Sequence, residues 1–309
     1  MNHDSTIAAL LARPIIMGIV NVTPNSFSDG GQFSTTQGTI DINAAATYAA
    51  NLVQQGAAIL DIGGEASSFF RPGVVPISPE EQIRRVVPVI AAIAARRLTI
   101  PGTTTPALIS VDTRSALVAR AAVEAGAHII NDISAGQFDP RMFQTAAQLA
   151  TPIILMHMRD ESTAKPQPYQ DVTGTVQNFL QDRKGAALAT GVAPHRIWLD
   201  PGIGFGKTPA DNWKLIANLD SLVAAGHPVV VGASRKRFLT FTDTSRWPAP
   251  LPSPSRHTGP DWHERDTASA VVTALAASKG VLIHRVHNVA ANRTALEIAA
   301  RTARTKTEP

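Results

Sequence analysis

The 309-residue chain predicts a single α/β domain in which eight parallel strands close into a barrel inside a ring of helices. Three observations predict it. Short runs rich in Val, Ile and Leu alternate with longer alanine-rich amphipathic stretches, the pattern of βαβ units and hence of a parallel sheet. The alternation repeats eight times, which selects the closed (β/α)8 TIM barrel over an open, doubly wound sheet. Most of the apolar runs also finish in a polar residue, as they do when the carboxyl ends of the strands form the rim of one pocket.

The strand-like runs cover residues 15–22, 57–63, 107–113, 128–134, 152–158, 197–201, 228–234 and 281–289. Their near-continuous hydrophobicity is what burial on both faces of a parallel sheet demands. The helical stretches cover 42–55, 79–96, 116–124, 140–149, 172–190, 212–224, 267–278 and 290–304. Ser78-Pro79-Glu80-Glu81 supplies an N-cap, a proline at the first helical position and acids in the first turn. Gly56, Gly126, Gly191, Gly226 and Gly280 stand where helices should end, because a left-handed C-terminal cap favours a residue without Cβ. Residues 1–13 read as an N-terminal extension, 14–304 as the barrel domain and 305–309 as a tail. Two connections are long. One spans 64–78; the other, 240–265, carries Pro248, Pro250, Pro252, Pro254 and Pro260 and reads as a surface insertion whose composition buries little.

Composition narrows the function. Apolar residues make up 44% and charged residues 17%, enough core and little enough charge to argue against disorder. The absence of cysteine removes disulfides and thiolate metal sites and fits the cytoplasm. A formal charge of +4, part of it in the tail residues Arg301, Arg304 and Lys306, is a weak nucleic-acid footprint, so no nucleic-acid partner is expected. The apolar run from Ile7 is broken by Arg13 and Pro14, which suits neither a signal peptide nor a membrane span.

The strand ends carry the chemistry: Asn21, Asp61, Glu65, Asp112, Asn131, Asp132, His157, Asp200, Ser234, Lys236, Arg285 and His287. A single polar strand end is often merely solvated; a whole rim of them is harder to explain that way. The run from Ile197 to Lys207 is the most telling, since it delivers Asp200 and then breaks into Gly202, Gly204 and Gly206, glycines that let backbone approach a ligand closely. Asp112, Asn131 and Asp200 supply acceptors and one amide, suited to the donor-rich edge of a neutral heterocycle; a carboxylate facing an amino group and a ring N–H accepts two parallel hydrogen bonds. The competing reading pairs Asp200 with Lys236 or Arg285 in the barrel mouth. Lys236, Arg285 and His287 supply donors for an anion and Asn21 an oxygen for a hard cation, a set that a phosphate-bearing leaving group with Mg²⁺ would use together. Ser234-Arg235-Lys236 is expected where the seventh strand's loop meets a helix N-terminus, an anion site in this fold.

These residues also form a signature. Asn21-Val22-Thr23-Pro24 with Ser26-Phe27-Ser28-Asp29-Gly30-Gly31, Asp61-Ile62-Gly63-Gly64-Glu65 with Arg71-Pro72-Gly73, and Ser110-Val111-Asp112-Thr113 resemble the pterin-binding dihydropteroate synthase family. Asn131-Asp132, Met156-His157, Asp200-Pro201-Gly202 with Gly204-Phe205-Gly206-Lys207, Ser234-Arg235-Lys236 and Arg285-Val286-His287 complete the set, in order, across about residues 14–298. The resemblance implies condensation of 7,8-dihydropterin-6-ylmethyl diphosphate with p-aminobenzoate to dihydropteroate and diphosphate, with Mg²⁺, in a homodimer. By matching position it implies Asp112, Asn131, Met156, Asp200 and Lys236 for the pterin, and Asn21, Arg71, Arg285 and His287 for the diphosphate, Asn21 also holding the metal. Ser68, Arg71, Pro72, Phe205, Lys207 and Ser234 would border p-aminobenzoate, and Asp112, Lys236, Arg285 and His287 would carry the catalysis.

The chain departs from the family pattern in places. Where the family's second loop reads Gly-Gly-Glu-Ser-Thr-Arg-Pro-Gly, this chain inserts three residues, giving Ala66-Ser67-Ser68-Phe69-Phe70 before Arg71. Two readings stay open: a local hydrophobic anchor, or an element that reshapes the aryl-amine pocket and disfavours sulfonamides while sparing the substrate. Asn25 and Asn288 stand where the family commonly has Asp, each removing a negative charge near the expected diphosphate, and Arg237 replaces a common Ser. Two other functions share the pterin floor, namely a methyltetrahydrofolate-binding module that passes a methyl group to a corrinoid partner and a homologue that binds pterin without turnover. The first would have no need of Ser234-Arg235-Lys236 or Arg285-Val286-His287, and intact Asn21, Lys236, Arg285 and His287 argue against the second.

Overall fold

A computed structural model describes residues 3–23, 33, 39–65, 76–159, 167–240 and 262–304. Helix α1 (His3–Leu10) precedes β1 (Ile15–Asn21), α2 (Ile42–Gln55), β2 (Ala57–Gly63), α3 (Pro79–Ala95), β3 (Leu108–Asp112), α4 (Ala116–Glu124) and β4 (Ile129–Asp132). There follow α5 (Met142–Gln148), β5 (Ile153–Met156), α6 (Val172–Ala189), β6 (Ile197–Asp200), α7 (Pro209–Ala217), α8 (Leu219–Val223), β7 (Val230–Val231), α9 (Trp262–Ser278), β8 (Ile283–Val286) and α10 (Val289–Arg304). All strand pairs are parallel, in the order β6-β5-β4-β3-β2-β1-β8-β7, and a bridge between Leu199 and Val229 closes the cylinder between β6 and β7. The eight strands expected from the sequence form a (β/α)8 barrel.

Alternation along the strands divides the core in two. Leu60, Ile62, Val111, Ile130 and Leu155 face outward and pack against the helices. Met17, Ile59, Leu108, Ile129, Ile154, Trp198, Val230 and Ile283 face inward and fill the lower barrel. Helix α1 belongs to that inner cluster: Ile7 and Leu10 are buried in it, and Asp4 pairs with Arg196 at 2.8 Å.

The caps follow the sequence. Ser78 accepts from Glu81 N at 3.2 Å with Pro79 opening α3, and Gly56 ends α2 at φ +112°. Boundaries differ where local hydrogen bonding overrides apolar content. The seventh strand is short because Lys236 N–H donates to the Ala233 carbonyl and closes a turn; the stretch 212–224 divides at Asn218 into α7 and α8. The helix expected from 267 begins at Trp262, shortening the preceding insertion.

Candidate functional site

Two residues above the apolar floor, the same alternation turns polar. Asp61 lies opposite Ser110 and Ile19 in the ladder, Gly63 opposite Asp112 and Asn21, and Asp112 opposite Asn131. Asp112, Asn131, Met156, Asp200, Phe205, Lys236 and Arg285 line one open cavity, with Ile133, Gly202, Ile203 and Gly232. Six strands and the loops after them therefore deliver seven of the expected side chains to a single space at the carboxyl end of the barrel; Asn21, Lys207, Ser234 and His287 are not part of its lining.

Arg285 is the hub. Its Nε donates to Asp61 Oδ2 at 2.6 Å and its Nη2 to Asp112 Oδ2 at 2.7 Å. Arg285 thus makes its ion pairs with Asp61 and Asp112 rather than with Asp200, although its charge still acts on Asp200. Burial opposes its charge, but those carboxylates more than compensate and hold its pKa above the ordinary value. Burial raises Asp112 to about 7 despite Arg285, with Asp61, Glu65 and Asp132 adding repulsion. Asp200 is likewise raised by burial, to about 6, against a 2.7 Å hydrogen bond from Gly202 N and the charges of Lys236 and Arg285.

Lys236 lies with its ammonium 3.7 Å from the centre of the Phe205 ring, so its charge faces an aromatic wall of the cavity. Gly204, at φ +80°, permits this: a Cβ there would come within 2.6 Å of Lys236 Cδ. Gly202, at φ +66°, has no room for a side chain beside the His157 carbonyl. The glycines of this loop are therefore demanded by neighbouring protein atoms rather than by a ligand.

His287 N–H donates to Ser234 Oγ at 3.1 Å, and that hydroxyl lies 2.9 Å from His287 Nδ1. With the hydroxyl donating to Nδ1, the ring is neutral and carries its proton on Nε2. Burial, followed by the charges of Arg235, Arg285 and Lys236, lowers its pKa well below the ordinary value and favours this form. Arg235 adopts φ +57° and turns away from its neighbours Ser234 and Lys236, its guanidinium pairing with Asp266 at 2.7 and 3.0 Å. The segment does not open an α-helix, as the sequence had suggested. It runs into one 3-10 turn, Arg237–Leu239, so among the described residues no α-helix begins directly at this segment.

Other strand-end residues are engaged elsewhere. Glu65 accepts from Ile77 N and pairs with Arg114, and Asp132 accepts from Ser134 N, Ser134 Oγ and Gly136 N. Lys207, expected beside p-aminobenzoate, is buried beneath the loop, its Nζ donating to the carbonyls of Gly202, Phe205 and His157 and lying 2.9 Å from His157 Nδ1. Burial, and then this ammonium, lowers His157 to about 3. Asn288 donates to Asp266 and caps α10 through Ala291 N, which ties its side chain to α9 and α10. Asn21 stands on the β1 rim, where its Oδ1 and Asp112 Oδ2 border the notch left by Gly63, at 3.5 and 3.8 Å from a would-be Cβ. No group of three His, Cys, Asp or Glu placed to hold a metal ion occurs among the described residues. The amide oxygen of Asn21 is a hard ligand compatible with Mg²⁺, which keeps waters and takes phosphate oxygens as further ligands. Ser68, Arg71 and Pro72, with the Phe69-Phe70 insertion and Asn25, lie outside the described residues.

Sequence reasoning placed Asp61 on the rim without a role, and did not foresee the cradle around Lys207. The signal for Asp61 was its place, two residues before the strand end and in phase with the inward-facing Ile59.

Comparison with known proteins agrees with this architecture. Residues 17–287 match the pterin binding enzyme family. A dihydropteroate synthase of Streptococcus pyogenes serotype M6 is 42% identical over 278 residues, covering 90% of this chain and 91% of the relative. The structure of Xanthomonas albilineans dihydropteroate synthase with 4-aminobenzoic acid superposes with a TM-score of 0.77 at 38% identity, covering 95% and 94% of the two chains. That of Yersinia pestis dihydropteroate synthase with a sulfonamide drug gives 0.79 at 34%, covering 96% of each. The chain belongs to the pterin binding enzyme family, among its dihydropteroate synthases.

Proposed function

We propose that this chain joins a 7,8-dihydropterin-6-ylmethyl diphosphate to p-aminobenzoate with Mg²⁺, through the residues that line the cavity at the barrel mouth. The observation that carries the proposal is one space holding acceptors and cations side by side: Asp112, Asn131 and Asp200 next to Lys236 and Arg285. An ionised Asp200 suits a 2-amino group and ring N–H, while Asn131, whose amide nitrogen donates to Asp61 at 3.0 Å, keeps its oxygen for the ring. Met156 and Phe205 supply apolar faces above and beside a flat bicycle.

The bond from the 6-methylene carbon to the diphosphate oxygen breaks, the amine nitrogen of p-aminobenzoate bonds to that carbon, and the amine sheds a proton to water. An aryl amine is unprotonated at neutral pH, so the protein's task is positioning and electrostatics. Asp112 offsets positive charge developing on the pterin-methylene, which makes the displacement dissociative. The Nη1 edge of Arg285, His287 Nε2–H and Lys236 face the departing diphosphate, with Arg71 assigned there from the sequence alone. Mg²⁺, held through Asn21 Oδ1 and diphosphate oxygens, would neutralise the leaving group. Phe205, Ser234, Ser68 and Pro72 are assigned to the p-aminobenzoate side; Lys207 serves it indirectly, by shaping the loop that carries Phe205.

A homodimer is part of this reading. Val271 and Leu275, one turn apart on α9, are 56% and 48% exposed, an apolar stripe suited to a second copy. Among the described residues no helix is long and apolar enough to cross a membrane, and the protein is proposed to work in the cytoplasm. The Ser68–Phe70 insertion is proposed to disfavour sulfonamides. The methyl-transfer reading is not favoured, because three anion-handling side chains would stand idle.

A coupled assay of diphosphate release, with p-aminobenzoate and then with a sulfonamide, tests the assignment. Release that depends on both substrates and on Mg²⁺ is expected; its absence would remove the proposal. Deletion of Ser68–Phe70 should restore sulfonamide inhibition, and light scattering should give twice the 32.7 kDa chain mass.

A further inference from the structure

We infer that Asp61 is a positioning residue for the pocket, one buried carboxylate oxygen orienting both the amide that reads the ring and the guanidinium that handles the diphosphate. The inference rests on the pocket assignment above and deepens it.

Asp61 is fully buried on β2, below the cavity rather than lining it. A carboxylate in such a place is costly unless it is paired. Its Oδ2 accepts from two donors on opposite sides of the barrel, Asn131 Nδ2 on β4 at 3.0 Å and Arg285 Nε on β8 at 2.6 Å. Its Oδ1 has no partner among the described residues, so the pairing is concentrated on one oxygen.

Each bond selects one of several orientations. Asn131 could present either end of its amide to the cavity; donation to a carboxylate that cannot donate in return settles Nδ2 downward and Oδ1 upward. Arg285 is gripped at Nε by Asp61 and at Nη2 by Asp112, which fixes the plane of the guanidinium and leaves Nη1 outward. Ring recognition and leaving-group stabilisation thus share a fulcrum that touches neither.

Asp61→Asn tests this, alone and in a cycle with Asn131→Ala. The readouts are calorimetric binding of 6-hydroxymethyl-7,8-dihydropterin, which lacks the diphosphate, and steady-state kinetics. Asp61→Asn should weaken bare-pterin binding about tenfold and lower kcat about a hundredfold, as expected when a charged hydrogen-bond partner is lost. In the Asn131→Ala background its further effect on pterin binding should fall below about twofold, the non-additivity of residues acting through each other. Equal effects in both backgrounds would reduce Asp61 to a structural carboxylate and overturn the inference. Failure of the wild-type protein to release diphosphate would count against the function instead, since the cycle is read from pterin binding alone. Should Asp61→Asn fail to fold, the wild-type protein decides by NMR. One Nδ2 proton of Asn131, assigned by its loss in Asn131→Ala, should be shifted downfield and protected from exchange; two ordinary amide protons there would overturn the inference.

Discussion

Two cations stand near the barrel mouth, Lys207 buried and Arg285 partly exposed, and are compensated in different ways. Arg285 sits between the carboxylates of Asp61 and Asp112 and lines the cavity. Lys207 sits beneath the β6 loop, its ammonium donating to three backbone carbonyls and lying against His157 Nδ1. A guanidinium has five N–H donors, so two carboxylates leave it capacity for a third anion. An ammonium has three, and carbonyls from Gly202, Phe205 and His157 already engage them. The difference separates a cation with donors left for the ligand proposed above from one whose donors hold a loop in shape.

Arg285→Met should break that comparison most severely. It removes the donor proposed for the leaving group and strands the carboxylates of Asp61 and Asp112, so kcat/KM should fall by at least about a thousandfold. Breaking a buried pair from one side also costs about 3–5 kcal/mol, part of which Asp112 recovers by taking up a proton. Steady-state kinetics beside a thermal melt checks both. A variant with near-normal turnover would show that the guanidinium is structural.

Lys207→Met should produce the opposite balance. Orphaned carbonyls cost about 1–3 kcal/mol in stability. Activity should fall less than in Arg285→Met, through a displaced Phe205 and hence a higher KM for p-aminobenzoate. A loss of kcat equal to that of Arg285→Met, with an unchanged melt, would erase the distinction between the two cations.

The carboxylates around Arg285 supply a pH test. Asp112 and Asp200 are raised from 3.8 to about 7 and about 6, both chiefly by burial. A raised carboxyl favours the folded protein in its protonated form. The stability these two groups contribute is therefore present below pH 3.8 and lost as the pH rises through about 6 to 7. A pterin offering N–H donors favours the ionised form, so its affinity should rise with pH across that window and its binding at pH 6 should release protons. Calorimetry at pH 6 in two buffers of different ionisation enthalpy measures the release; identical heats would contradict it.

The two cations also mark how far the sequence could be read. Strand number, caps and the rim residues follow from local pattern, because inward-facing positions recur every second residue and helix ends need particular side chains. That logic placed Asp112, Asn131, Asp200, Lys236 and Arg285 together. It could not tell which carboxylate would grip Arg285, since Asp61 and Arg285 are 224 positions apart and meet only when the barrel closes. Nor could it tell that Lys207 turns inward, because a lysine after a glycine loop looks the same whether it meets ligand or backbone. The seventh strand was misjudged for a related reason: Val229, Val230 and Val231 are apolar, but the turn at Ala233 decides where pairing ends.

Arg235 extends the comparison to a third cation, and Asn288 gives the smallest expected effect. The family's usual Asp at that position suggested a missing charge near the diphosphate. In this chain Asn288 donates to Asp266 Oδ2 at 3.2 Å, and Asp266 already binds the Arg235 guanidinium. Asn288→Asp would keep the cap on Ala291 N, because a carboxylate oxygen accepts as an amide oxygen does, but would bring a second negative charge against Asp266. Arg235 can serve both only in part, so stability should drop by roughly 0.5–1 kcal/mol, eased by salt. The Mg²⁺ concentration giving half-maximal diphosphate release should move less than about twofold, since this side chain is committed to the junction of α9 and α10. A tenfold shift would mean that the Asp266 junction and the diphosphate subsite behave as one electrostatic unit.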